Sequence, residues 1–441
     1  MINQKPTVSR NSEKSYAEQH GTVKNDLNQA EQTFRNLGID QEIIGILDKL
    51  NLKVPTPIQH KAIPVAIKGS DVVGIAQTGT GKTLAFGIPM LQRLMVMQGK
   101  RGLIILPTRE LAFQINEMLM KIGRGLGLKT AVLIGGTSMY QQVQSIKYNP
   151  HIIIGTPGRI NDHLTRKTLS LQQTAILVLD EADCMLDMGF APQIKQILQT
   201  VPKERQTMLF SATMPNGIIK LATTYMKMPV RVEIARSGTV AEKVEHELFF
   251  VKKDQKGNLL EKLLGEYKGS VLLFCRTKFA AKKICRNILG LGFRVAEIHS
   301  NRSLNQRKEA LDGFKTGKYR ILVATDIASR GIDVKGIEVV INYDIPESAG
   351  DYVHRIGRTG RAGMTGKAIS FASSDQRNKV REIERLIRST IPISQLPETM
   401  ADNSAPNYAR PSSRPQYNKF SPRKNFRYSG KKNYKPFKKP Y

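Results

Sequence analysis

This 441-residue chain is predicted to fold as two tandem α/β domains, each a parallel sheet flanked by helices. Three observations predict this. Short apolar runs alternate with helix-length amphipathic segments. The runs are apolar throughout rather than at every second residue, which marks strands covered on both faces by crossover helices. The series breaks once, at a polar stretch near Arg236–Val244.

The first series of candidate strands is Val72–Ala76, Gly102–Leu106, Ala131–Gly135, His151–Gly155, Ile176–Asp180 and Met208–Ser211, with helices such as Leu84–Met95 and Glu110–Ile122 between them. The second is Leu248–Val251, Val271–Cys275, Arg294–Ile298, Arg320–Ala324, Val339–Tyr343 and Lys367–Phe371. The expected domains are therefore 32–235 and 244–395. A polar, flexible extension precedes them at 1–31, and a basic, aromatic, disordered tail follows at 400–441.

Composition narrows the function. Hydrophobic residues make up 40% of the chain, too many for a chain disordered throughout. No apolar run approaches the ~18 residues of a membrane span, and the polar first thirty residues carry no secretory signal. Cys184, Cys275 and Cys285 are too few and scattered for a disulfide framework or a zinc site, which fits a cytoplasmic protein. The 68 Lys+Arg against 37 Asp+Glu give a net charge of +31, which calls for a polyanionic partner such as nucleic acid.

Ligands of open α/β sheets bind outside the carboxyl ends of the strands, and the polar clusters of this chain follow its strands. Ala76-Gln77-Thr78-Gly79-Thr80-Gly81-Lys82-Thr83 fits the phosphate-loop pattern GxxxxGK followed by Ser or Thr, except that Ala76 replaces the first glycine. Glycines let backbone N–H groups wrap a polyphosphate, Lys82 reaches the β/γ oxygens, and the Thr83 hydroxyl suits Mg²⁺. The apolar run Ile176–Leu179 ends in Asp180 and Glu181, one to hold Mg²⁺ and the other to orient or deprotonate the attacking water. In the second half, Tyr352 through Arg361 gathers His354, Arg355, Arg358 and Arg361. The matching strand Val271–Cys275 leads into Arg276-Thr277-Lys278 without glycines, so this half has no phosphate loop. A domain of that kind is suited to supply arginine fingers across a cleft.

With these residues assembled, the chain resembles the DEAD-box ATP-dependent RNA helicases, whose name is spelled by Asp180-Glu181-Ala182-Asp183. The resemblance covers about residues 32–395 and implies RecA-like domains, ATP with Mg²⁺, and sequence-tolerant binding of single-stranded or duplex RNA by a monomeric core. It implies that Phe34 stacks on the adenine, with Gln59 of Pro55-Thr56-Pro57-Ile58-Gln59 reading its edge. Pro107-Thr108-Arg109-Glu110-Leu111, Gly135-Gly136 and Thr156-Pro157-Gly158-Arg159 resemble first-domain RNA-contacting motifs. Ser211-Ala212-Thr213 resembles the segment that links hydrolysis to strand separation. In the second domain the likeness puts Arg276, Thr277, Thr325 and Asp326 near RNA, Asp333 near the ribose, His354 at the domain coupling, and Arg358 and Arg361 at the γ-phosphate. One departure stands out: Leu304 occupies a position where the family often has Gln, three residues before Arg307, at a place the resemblance gives to an RNA contact. A compact core with a basic tail looks most like the bacterial RhlE group.

From Ala405 to Tyr441 there is no Asp or Glu, and eleven Lys/Arg interleave with Tyr and Phe. Cations attract phosphates and rings stack on bases, so this stretch reads as an RNA tether. The leading activity is RNA-stimulated ATP hydrolysis coupled to local, non-processive duplex opening or remodelling of ribonucleoprotein complexes. A DNA translocase and a non-catalytic RNA clamp are the alternatives.

Overall fold

The computed structural model describes residues 33–77, 79–234, 244–326, 334, 336–360 and 366–397. Its first lobe is built on seven strands: β1 Val72–Ile75, β2 Arg101–Ile105, β3 Thr130–Leu133, β4 Ile152–Gly155, β5 Thr174–Leu179, β6 Gln206–Ser211 and β7 Val230–Glu233. They lie in the order β3-β4-β2-β5-β6-β1-β7. The second lobe has six: β8 Val244–Phe250, β9 Val271–Phe274, β10 Val295–Ile298, β11 Ile321–Ala324, β12 Val339–Asn342 and β13 Gly366–Ala372, ordered β10-β11-β9-β12-β13-β8. All strand pairs of both sheets are parallel, as the apolar runs predict.

Side chains alternate across a strand, so each apolar run feeds two cores. In the first lobe Val72, Ile104, Ile154, Val178 and Met208 face helices Gln41–Lys49, Pro57–Ile67, Lys82–Val96 and Arg109–Gly123. Their neighbours Val73, Leu103, Ile153, Leu177 and Leu209 face helices Pro157–Thr165, Ala191–Thr200 and Asn216–Tyr225. Each fully buried Val, Leu or Ile side chain stabilises the fold by about 1.5–3 kcal/mol. Gly74 pairs with Phe210, and a Cβ there would meet the Phe210 ring at 2.5 Å, so β1 and β6 approach only because the side chain is missing.

β7 is the strand not expected from the sequence. Val230 and Arg231 are exposed and only Val232 is buried, so the segment shows no apolar run. It forms because β1 presents an open edge, and because both carboxylate oxygens of Asp71 accept backbone N–H bonds, from Thr207 at 2.6 Å and Lys227 at 2.7 Å. β8 starts four residues before the expected Leu248, drawn out by its pairing with β13 from Val244 onward. β5, β6 and β1 are neighbours, so their carboxyl ends bring the first lobe's motifs side by side. In the second lobe β11, β9 and β12 do the same.

Candidate active site

The chain leaves β1 at Ile75, and Ala76 N donates to Ser211 O at 3.0 Å. Gly79 and Gly81 take φ of 86° and 92°, a region that side-chain-bearing residues avoid. A Cβ on Gly81 would overlap the Gln59 amide and lie 2.9 Å from Thr56 Oγ1. Gln59 braces the loop: its Nε2 donates to Gly81 O at 2.9 Å while its Oε1 accepts from Thr56 N at 2.9 Å. Among the described residues, one N–H and one lone pair of that amide remain for a base edge. Thr80 Oγ1 donates to Gln77 O at 2.7 Å. Lys82 opens a fifteen-residue helix with Thr83 next to it.

Lys82 Nζ is buried and lacks a hydrogen-bond partner among the described residues; its nearest anion is Asp180 Oδ1 at 3.9 Å. An ammonium with three unmet donors at a helix N-terminus is a fitted receptor for polyphosphate oxygens. Asp180, at the end of β5, is 2% exposed. Burial pushes its carboxyl up to about 6; Lys82 opposes and Glu181 adds to the shift. A carboxylate so unfavourably buried near an empty-handed lysine fits a divalent cation. Glu181 sits in the left-handed region at φ 50°, ψ 50°, a strained placement of about 1–3 kcal/mol that turns the chain into the helix Ala182–Asp187.

Asp183 is the hub of the site. Its Oδ2 accepts from Ala212 N at 3.1 Å, Thr213 N at 2.8 Å and Thr213 Oγ1 at 2.8 Å, and Ser211 Oγ accepts from Asp183 N at 3.3 Å. The same Oδ2 lies 3.5 Å from His354 Nε2 of the second lobe. Burial alone would raise this carboxyl, but His354, Lys82 and the Thr213 hydroxyl outweigh it and hold it well below the usual carboxylate range.

A second buried contact crosses the seam. Arg307 Nη2 donates to Glu110 Oε2 at 2.8 Å. Burial raises the Glu110 carboxyl against the pull of Arg307. Leu304, one turn before Arg307, packs against the first lobe's apolar cluster. The position that the family often gives to Gln therefore carries an apolar contact between lobes.

Arg355 is buried and held by four hydrogen bonds: Nε and Nη2 donate to the two oxygens of Asp326 at 2.5 and 2.8 Å, and Nη1 to Asn342 Oδ1 and Asp344 O. Asp326, expected near RNA, also braces the helix Ala349–Ile356 through this pair. Arg358 follows that helix and is 2% exposed. Arg361, Asp333 and Thr78 lie outside the described residues.

The expected RNA-contacting residues gather at helix starts. Thr108 caps Arg109–Gly123 and Thr277 caps Lys278–Gly290 through their hydroxyls, while Thr156 and Pro157 begin Pro157–Thr165 with Gly158 exposed. Pro107 is buried just ahead of Thr108, and Thr325 directly follows β11. Such starts present N–H groups to anions. Arg109 lies against Gly135 and Gly136, Arg159 Nη1 donates to Thr137 O at 3.3 Å, and Arg276 Nε lies 3.1 Å from Glu347. Phe34 is only 4% exposed and packs in the first-lobe core. Its edge lines a cavity of about 280 Å³ together with Thr33, Asp48, Leu52 and Lys53.

The sequence alone does not assign Asp183, Glu110 or Arg307 to the site. The one signal for Asp183 is its place in the tetrad beside Asp180 and Glu181. Glu110 and Arg307 are 197 positions apart and neither sits in a pattern that names the other.

Two RecA-like lobes, with a phosphate cradle on one and an arginine-bearing helix of the other packed against its acidic strand end, define a tandem P-loop ATPase core. The profile described as DEAD/DEAH box helicase matches residues 56–221, and that of the helicase conserved C-terminal domain matches 255–363. The chain is 42% identical over 356 residues to the ATP-dependent RNA helicase DbpA of Bacillus subtilis, covering 80% of this chain and 74% of that one. It is 41% identical to the DEAD-box ATP-dependent RNA helicase CshA of Geobacillus kaustophilus, covering 80% and 76%. Among solved structures it matches S. cerevisiae Dbp5 bound to RNA and ADP BeF3, with a TM-score of 0.75, 29% identity, and 83% and 96% coverage. The chain belongs to the DEAD-box ATP-dependent RNA helicases.

Proposed function

We propose that ATP hydrolysis at the seam between the lobes drives local, non-processive opening of RNA duplexes or remodelling of ribonucleoprotein complexes. The observation that carries this reading is Asp183, whose carboxylate joins the Ser211–Thr213 segment of its own lobe to His354 of the other. A change at the triphosphate is thereby felt at the lobe contact.

In this reading the division is 32–235 and 244–395. Phe34, Thr56 and Gln59 receive the adenine, Ala76 through Thr83 wrap the phosphates, and Lys82 takes the β/γ oxygens. Thr83 and Asp180 would hold Mg²⁺, which neutralises phosphate charge when bound. Glu181 orients the attacking water and accepts its proton. Arg358 and Arg361 stabilise charge on the departing phosphoryl group from the second lobe, and Asp333 takes the ribose. Pro107–Arg109, Gly136, Thr156–Arg159, Arg276, Thr277 and Thr325 hold RNA through its backbone, which positions a strand without reading it. Asp326 belongs to the same RNA-holding set and is fixed in place by Arg355.

The tail supplies a sequence-tolerant tether, and with the compact core it supports a place near the RhlE group. No helix among the described residues is long and apolar enough to cross a membrane. A monomeric, cytoplasmic protein is in keeping with this reading.

Comparing ATP turnover with single-stranded RNA and with DNA of the same sequence tests it. Stimulation by RNA together with displacement of a short duplex is expected. Equal stimulation by DNA points to a translocase, and RNA binding without turnover points to a clamp.

A further inference from the structure

The helix Pro157–Thr165 begins with Thr156-Pro157-Gly158-Arg159 and carries, one turn past Arg159, a fully buried imidazole, His163. Nothing in the ATP chemistry uses this ring. Its Nε2 lies 3.1 Å from Gln142 Oε1, and its Nδ1 lies 2.8 Å from Thr168 Oγ1. Gln142 is the one buried residue of the helix Met139–Lys147. Its amide nitrogen donates to Ile134 O at 2.9 Å and to Thr137 Oγ1 at 2.5 Å.

Those two acceptors fix which way the amide faces: nitrogen toward the turn, oxygen toward the histidine. The imidazole proton is thereby assigned to Nε2, which donates to Gln142, while Nδ1 accepts from the Thr168 hydroxyl. Burial, with Arg159 and Arg166 against Asp162, holds the ring below its ordinary pKa and keeps this neutral form. Thr137 Oγ1 in turn donates to Ile134 O at 3.1 Å. A relay of hydrogen bonds runs from the helix to both ends of the turn Ile134–Thr137.

That turn is a built ledge. Gly136 is exposed at φ 79°, and a Cβ there would overlap the Arg109 guanidinium. Arg159 Nη1 reaches Thr137 O from the other side. Two guanidinium groups over an open glycine turn suit one phosphodiester.

We propose that His163 and Gln142 are positioning residues for RNA, holding the Ile134–Thr137 turn where the Gly136 backbone, Arg109 and Arg159 meet a single backbone phosphate. This rests on the RNA-contacting reading given under the proposed function. An apolar pair would fill the same space but leave the turn unanchored.

The test is ATP turnover of the full chain against the concentration of single-stranded poly(U), for His163→Phe, Gln142→Met and the double variant. Each single variant raises the half-saturating RNA concentration about three- to tenfold, the scale of one missing hydrogen bond. Turnover at saturating RNA stays within about twofold, a split that separates positioning from damage to the chemistry. The double variant is no worse than the more severe single one, because both cut one relay. Unchanged RNA dependence in folded protein, multiplying effects, or a turnover loss matching the rise in RNA requirement each overturns the proposal. Gln142→Met, on a surface helix, keeps the test open if His163→Phe fails to fold. Arg159→Ala is run beside them. If it leaves RNA dependence unmoved, the RNA-contacting reading of the ledge fails. If it moves RNA dependence and the relay variants do not, only the relay fails.

Discussion

Asp183 and His354 meet across the seam, Oδ2 to Nε2 at 3.5 Å, with both side chains buried. Asp183 is simultaneously the acceptor for Thr213 N and Thr213 Oγ1. The contact is therefore a junction of three segments rather than an isolated pair, and removing one partner strands a buried charge. His354→Ala should lower RNA-stimulated turnover by about tenfold or more while leaving ATP binding near wild type. Steady-state kinetics with and without RNA check this; a variant that closes and turns over normally would refute the junction.

Lys82 and Glu181 part company in their predicted defects. Lys82→Ala removes the ammonium that faces the phosphates, so ATP binding itself should fail. Glu181→Gln should bind ATP and RNA but turn over about 10²- to 10⁴-fold more slowly, the usual weight of a general base. Equilibrium binding with a fluorescent ATP analogue, paired with phosphate release, distinguishes them. Wild-type turnover in Glu181→Gln would remove Glu181 from the reaction.

Asp180 predicts a pH effect on stability. Its carboxyl stands at about 6 in the nucleotide-free fold, above the ordinary value of 3.8. A raised acid binds its proton more tightly folded than unfolded, so its ionisation destabilises the fold as pH climbs from near 4 to past 6. Asp180→Asn escapes this, and its stability relative to wild type should grow across that window by about 3 kcal/mol at most. Thermal melts from pH 4 to 7 read the difference; a pH-independent offset would show that burial of Asp180 is not the cause.

The Glu110–Arg307 pair predicts coupling between lobes. Breaking a buried pair costs about 3–5 kcal/mol, while replacing both partners with apolar groups is often neutral. Arg307→Ala should require more RNA and ATP to close the lobes, and Glu110→Leu/Arg307→Met should recover much of the loss. Leu304→Gln removes the adjoining apolar contact and should shift closure in the same direction by a smaller amount. Fluorescence transfer between labels at the exposed Lys195 and Lys282 positions reports it. Additive losses in the double variant would mean the pair is not coupled.

The tail prediction concerns salt. Deleting residues 405–441 removes eleven cations and no acids. RNA binding should weaken and its salt dependence flatten, since every phosphate that goes unneutralised lowers the slope by about 0.7 on single strands. Saturated ATP turnover should hold. Equal RNA affinity of the truncated chain at low salt would end the tether reading.

Much of this arrangement is legible in the sequence because it is local. Ile176–Leu179 announces a buried strand, Asp180 and Glu181 its polar end, and Gly79 and Gly81 a tight phosphate-sized loop. β7 is not legible, since Val230 and Arg231 are exposed and the strand exists only because β1 offers an edge. Arg355 reads as one more basic residue of a cluster until Asp326, Asn342 and Asp344 O are seen around it. The relay through His163 and Gln142 joins residues 21 apart on two helices, and only tertiary packing shows what they share. Leu304 illustrates the reverse: its departure from the family pattern is visible in the sequence, but its packing against the first lobe is not.

A crystal structure of the full chain with a non-hydrolysable ATP analogue, Mg²⁺ and single-stranded RNA tests the shared ATP site most directly. The guanidinium groups of Arg358 and Arg361 should lie within hydrogen-bonding distance of the γ-phosphate held by Lys82, with the Asp183–His354 contact intact. Lobes standing apart, or both guanidinium groups turned away from the phosphate, would contradict it.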